Sequence, residues 1–135
     1  MEKSIVDSIF NFHNVNEYSP LVLAYLGDGV YELYIRSMIV SKTNMQVNKL
    51  HKEATSYVKA KAQSQLLEKI YEKLTEEEIT IFKRGRNAHS YTSAKNADIV
   101  DYRRATGFEA LIGYLYITGK KDRIDELLSY GISQE

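Results

Sequence analysis

The chain has no cysteine, no tryptophan, one proline and no surplus of charge of either sign. Without cysteine there are no disulfides, thiolate zinc sites, iron–sulfur clusters or cysteine nucleophiles. Three scattered histidines, His13, His51 and His89, leave little material for an imidazole metal site. Eighteen basic residues balance eighteen acidic ones, which argues against a uniformly basic nucleic-acid coat and leaves the distribution of charge open. No signal peptide is legible and no apolar run could span a bilayer without carrying charge, so the expectation is a cytoplasmic protein without a membrane partner. Nothing alternates with a period of two, so no sheet is expected.

What remains is helical. A length of 135 residues, 44% of them hydrophobic, suits one core and a single domain over 1–135. Ser19-Pro20 reads as a helix start, with serine as N-cap and proline where its missing N–H costs nothing. Residues 21–40 are apolar nearly all round, the mark of a central helix. A second helical stretch over 44–74 carries Val47, Leu50, Ala54, Val58, Ala62, Leu66 and Ile70 at helical spacing and is long enough to break once. Thr75-Glu76-Glu77-Glu78 has the capping-box pattern and opens a short helix that Gly85 can end. Residues 86–97 read as a polar loop, 98–118 as another strongly apolar helix, and 122–130 as a short last one stopped by Gly131.

The informative residues are acids inside apolar helices. Asp28, Glu32 and Arg36 recur every four residues as one polar stripe, and Asp28 stands between Gly27 and Gly29. Two glycines in a helix interior, each costing about 1 kcal/mol relative to alanine, predict a close approach by another backbone or a ligand. Glu109, flanked by Phe108, Ala110, Leu111 and Ile112, is equally out of place. A buried carboxylate must be paired, protonated or bound to a cation. Spacing supports two accounts. One makes Asp28 or Glu32 the ion-pair partner of Arg36, and Arg103 or Arg104 that of Glu109. The other sets two carboxylates face to face from antiparallel helices as a hard-oxygen site for Mg²⁺. For Glu32 the structural account is favoured.

The balanced charge is an average over segments. Lys42, Lys49, Lys52, Lys59 and Lys61 form one basic stretch, and Lys83, Arg84, Arg86, Lys95, Arg103 and Arg104 another. The acids pool over 68–78 and 122–126. Arg84, Arg86, Asn87 and Lys95 are the candidate nucleic-acid contacts, because cationic and amide side chains grip phosphates and sugars. Tyr25 and Tyr31, on the most apolar helix, read as core or interface residues and are the candidates for a two-fold dimer interface.

The run Leu23-Ala24-Tyr25-Leu26-Gly27-Asp28-Gly29-Val30-Tyr31-Glu32-Leu33 resembles the signature helix of the ribonuclease III family. Thr106-Gly107-Phe108-Glu109-Ala110-Leu111-Ile112-Gly113 resembles that family's second acidic motif. The resemblance covers 18–117, and the short length with Lys83-Arg84-Gly85-Arg86-Asn87 and Tyr102-Arg103-Arg104 is similar to a branch that is a nuclease domain alone. It implies an all-α, homodimeric endonuclease fold that cuts double-stranded RNA with Mg²⁺. Asp28 and Glu109 would be its metal-binding catalytic acids and the products would end in 5′-phosphate and 3′-hydroxyl. It further implies maturation of large-subunit ribosomal RNA precursor, with ribosomal proteins as candidate helpers. The sequence departs from the family pattern at Ala24 and Thr106, where acids are usual, and loosely at Lys59-Ala60-Lys61, where a further acid is usual. The rival expectation is a non-catalytic module that binds structured RNA on the same fold.

Overall fold

A computed structural model describes residues 10–88 and 98–132. Among these residues six helices follow in order: α1 (Pro20–Lys42), α2 (Val47–Val58), α3 (Ala60–Ile70), α4 (Glu76–Asn87), α5 (Ile99–Ile117) and α6 (Lys121–Ile132). Short 3₁₀ turns occupy Val15–Glu17 and Tyr71–Lys73, and no strand occurs among the described residues.

Local sequence sets the helix starts. The Ser19 hydroxyl accepts the Val22 N–H ahead of Pro20. Thr75 and Glu78 close a full capping box at 2.9 and 3.1 Å, and Asp98 caps α5 at the Val100 N–H. Each cap satisfies a backbone donor that the helix cannot. The 44–74 stretch does break, at Lys59, whose extended backbone (ψ 154°) separates α2 from α3. Two side chains take up carbonyls at the break: the Tyr31 hydroxyl donates to Tyr57 O at 3.1 Å and the Gln63 amide to Val58 O at 2.7 Å.

Helices α1 and α5 form the centre, crossing at near backbone contact. A Cβ on Gly27 would lie 1.7 Å from the Glu109 carbonyl oxygen, and one on Gly113 would lie 2.0 Å from that of Leu23. Gly27 therefore has the close neighbour that its place in a helix predicts, whereas Gly29 faces open space. Around this crossing pack Ile35, Leu67, Ile70, Phe108, Leu111, Leu115, Ile124 and Leu127, all nearly or fully inaccessible. The rings of Tyr31 and Phe108 meet edge to face at 5.1 Å.

Three expectations need correction. Gly85 does not end α4, which runs on to Asn87. A Cβ on Gly85 would lie 2.9 Å from Gly107 Cα, so the residue serves helix packing. Gly131 likewise lies inside α6, against Leu66. Tyr31 is not an interface residue: it is 1% exposed and faces its own core. Tyr25, six residues earlier and so about 120° around α1, is 84% exposed. So α1 is buried along one side only, and Val22, Tyr25, Leu33 and Val40 lie exposed on it.

Candidate active site

The α1–α5 crossing decides where the acids go. Asp28 follows Gly27, and Gly27 lies against the backbone of Glu109. The tightest point of the fold thus sets the two carboxyl groups side by side, within hydrogen-bonding reach of each other. Asp28 is exposed at the rim and Glu109 is half-buried behind it. Burial first, then the charge and hydrogen bond of Asp28, raise the Glu109 carboxyl from 4.5 to about 8, against a smaller opposing effect of Gln63.

The ion-pair account of these acids separates by residue. Glu32 does pair with Arg36, at 2.7 Å on the surface. Glu109 pairs with neither Arg103 nor Arg104; its partners are Asp28 and the Gln63 amide, whose Nε2 donates to it at 3.2 Å.

Sequence reasoning missed Gln63. It belongs to the segment that opens with Lys59-Ala60-Lys61, and Lys59 and Lys61 themselves are exposed. Gln63 is 2% exposed. A signal was available: positions 63, 66, 67 and 70 make one helical stripe, and the last three are apolar. A glutamine on that stripe is the odd one out.

The two positions that lack the family's usual acids fit this picture. Ala24 is buried one turn before Asp28, and the Thr106 hydroxyl donates to Tyr102 O in its own helix. The centre therefore rests on two carboxylates, and no group of three or more acids, histidines or cysteines forms among the described residues. Magnesium accepts such a site, since it takes one or two protein carboxylates and fills its octahedron with water and phosphate oxygens. Two carboxyl groups held together beside a buried amide oxygen without a partner among the described residues (Gln63 Oε1) make a set of hard-oxygen donors of the kind a divalent cation takes.

The candidate RNA contacts divide. Arg86 and Asn87, bonded to each other at 3.1 Å, sit in the last turn of α4 and not in a loop. With Arg103 and Arg104 of α5 they line a groove of about 620 Å³. Glu68 and Glu72 line it too, so charge that is segregated along the chain is partly re-mixed in space. The Arg86 guanidinium stacks over Phe82. Arg84 is exposed but is not part of this groove, and Lys95 lies outside the described residues.

Comparison with known proteins shows what the chain as a whole is similar to. The Ribonuclease III domain profile matches residues 21–120. The chain is 50% identical to a Mini-ribonuclease 3 of Clostridium tetani, over 98% of this chain and 89% of that one. It is 48% identical to a Mini-ribonuclease 3 of a Thermoanaerobacter species, over 98% and 96%. A crystal structure of a Fusobacterium nucleatum protein superposes with a TM-score of 0.81 at 32% identity, covering 91% of this chain and 98% of that one. The chain belongs to the ribonuclease III family, on its Mini-ribonuclease 3 branch.

Proposed function

We propose that the chain, an endoribonuclease of this family, cleaves double-stranded RNA with Mg²⁺ held by Asp28 and Glu109. The observation that carries this reading is the forced contact of two carboxyl groups at a glycine-mediated helix crossing, with no arginine or lysine to pair Glu109 among the described residues. A merely structural acid pair so arranged would cost stability and return nothing.

When bound, the metal supplies Lewis acidity, which acidifies the attacking water and offsets charge on the scissile phosphate and the leaving 3′-oxygen. The protein's own work is to hold two oxygens where that charge is needed. Asp28, at the rim, meets the substrate side; Glu109, fixed behind it, sets the depth of the site. No side-chain general base is required, and the products carry 5′-phosphate and 3′-hydroxyl ends. Arg84, Arg86, Asn87 and Lys95 are proposed as RNA contacts, of which Arg86 and Asn87 have their groove in common with Arg103 and Arg104.

Each site cuts one strand, so cutting both needs two sites related by a two-fold axis. The exposed apolar residues Val22, Tyr25, Leu33 and Val40 along α1 support a homodimer. Maturation of large-subunit ribosomal RNA precursor in the cytoplasm, aided by ribosomal proteins, is the proposed setting. No helix among the described residues is long and apolar enough to cross a membrane.

Incubation with long double-stranded RNA, with Mg²⁺ or with EDTA, tests the reading. Mg²⁺-dependent fragments are expected, and Asp28→Asn and Glu109→Gln should lose cleavage while still shifting RNA in a gel. Gel shift without fragments from the unmutated protein would favour the non-catalytic binder, and normal cutting by either variant would refute the proposal.

A further inference from the structure

We propose that Gln63 is the positioning residue of the metal site: its amide nitrogen fixes one oxygen of Glu109 and leaves the other for the ion, and its amide oxygen accepts from water in the ion's shell. This rests on the reading of Asp28 and Glu109 as the metal ligands.

Three observations support it. First, the orientation of the amide is determined. Val58 O lies 2.7 Å from Nε2, and a backbone carbonyl can only accept, so the nitrogen must face it. The second N–H then goes to Glu109 Oε2 at 3.2 Å. One side chain thereby ties Glu109 of α5 to the end of α2, and a carboxylate restrained at one oxygen presents its other in a defined direction.

Second, Gln63 Oε1 is buried without a partner among the described residues. A buried acceptor left unpaired costs roughly 1–3 kcal/mol, and such groups are rare. Oε1 hangs on the same carbon as Nε2, the atom that holds Glu109. Water polarised by a divalent cation is a strong donor and would satisfy it, as outer-shell partners commonly do at metal sites.

Third, the site is apolar by default. Gln63 shares its stripe with Leu66, Leu67 and Ile70, all buried. A leucine or methionine there would fill the space with no polar atom to satisfy.

A purely structural role is the competing explanation, since the Val58 carbonyl belongs to the bend between α2 and α3. Tyr31 provides the control: its hydroxyl bonds the adjacent carbonyl of that bend, Tyr57 O, at 3.1 Å. Manganese binding is to be titrated by loss of the free-ion paramagnetic resonance signal in the unmutated protein, Asp28→Asn, Gln63→Met and Tyr31→Phe. Thermal melts and the Mg²⁺ dependence of RNA cleavage accompany the titration. Gln63→Met should bind Mn²⁺ about tenfold more weakly or worse and need correspondingly more Mg²⁺ for half-maximal cleavage. Tyr31→Phe should bind as the unmutated protein does, whatever it loses in melting temperature. Unchanged affinity in Gln63→Met, or an equal loss in Tyr31→Phe, would overturn the proposal. Should Gln63→Met fail to fold, Gln63→Asn, which withdraws the amide by one methylene, is judged by the same two outcomes. If Asp28→Asn binds Mn²⁺ like the unmutated protein, the acid pair is not the metal site and both readings fall. If Asp28→Asn loses binding while Gln63→Met does not, only the role of Gln63 falls.

Discussion

Glu109 shows how the place of a single residue in the fold can cost stability. Burial is the main reason its carboxyl titrates at about 8 in the fold, and Asp28 adds to it. In the unfolded chain the same group titrates near 4.5. Between those values the folded state holds a proton that the unfolded state has released, so stability declines as pH rises through the interval. Glu109→Gln removes that penalty. At pH 8 without metal, the variant should melt above the unmutated protein, by roughly 2–8 °C, with the gap closing toward pH 4. A variant that melts lower at pH 8 in a thermal scan would contradict the charge argument. Added Mg²⁺ should narrow the gap from the other side, because a cation relieves the same repulsion. Asp28 and Glu109 were legible in the sequence because acids among apolar neighbours violate a strong rule. Gln63 violates a weaker one, since a neutral amide in a half-polar helix draws no notice until its partners are known.

At the scale of elements, the decisive feature is that α1 and α5 touch through their backbones. Gly27→Ala would place a methyl group 1.7 Å from the Glu109 carbonyl oxygen, so the helices must part. The expected cost is about 2–3 kcal/mol of unfolding free energy in urea, with a larger proportional loss of cleavage, because the same shift separates the two acids. A second joint lies at the start of α4. Glu78 is 5% exposed, and Arg123 of α6 grips it with two bonds, at 2.8 and 2.9 Å. Burial alone would raise the Glu78 carboxyl, but the bonds from Arg123 and Thr75 outweigh it and hold the group below its usual range. Arg123→Met leaves that charge buried without its ion-pair partner, held by Thr75 only, and should cost about 3 kcal/mol at neutral pH in urea denaturation. The contribution of Glu78 is present above its unfolded pKa and is lost as pH falls through the folded one, so the deficit should shrink in acid. The capping box was legible because its partners are three residues apart; the arginine is 45 residues away in the chain and left no local trace.

For the whole molecule, the balanced charge and the apolar central helix both change meaning in three dimensions. Basic and acidic segments separate along the chain, yet Arg86, Arg103 and Arg104 share their groove with Glu68 and Glu72. Helix α1, apolar nearly all round, is divided into a side that carries Tyr31 into the core and a side that carries Val22, Tyr25, Leu33 and Val40 to the surface. If that outer side is a two-fold interface, sedimentation should show a dimer at micromolar concentration, and Tyr25→Glu should shift it toward monomer with little change in melting of the isolated chain. A Tyr25→Glu protein that sediments as the unmutated one does would place the contact elsewhere.

The sequence by itself determined the helices, most of their starts and the two acids, because caps, 3.6-residue periodicity and misplaced charge are all local signals. Only the tertiary structure decided that Gly85 and Gly131 pack instead of stopping helices, that Tyr31 turns inward, and that Gln63 completes the surroundings of Glu109. Each of these depends on what lies opposite the residue, across a contact between segments far apart in the chain. The paired glycines around Asp28 stood between the two. The sequence marked them as a close approach, and the fold supplied Glu109 as the backbone that comes near.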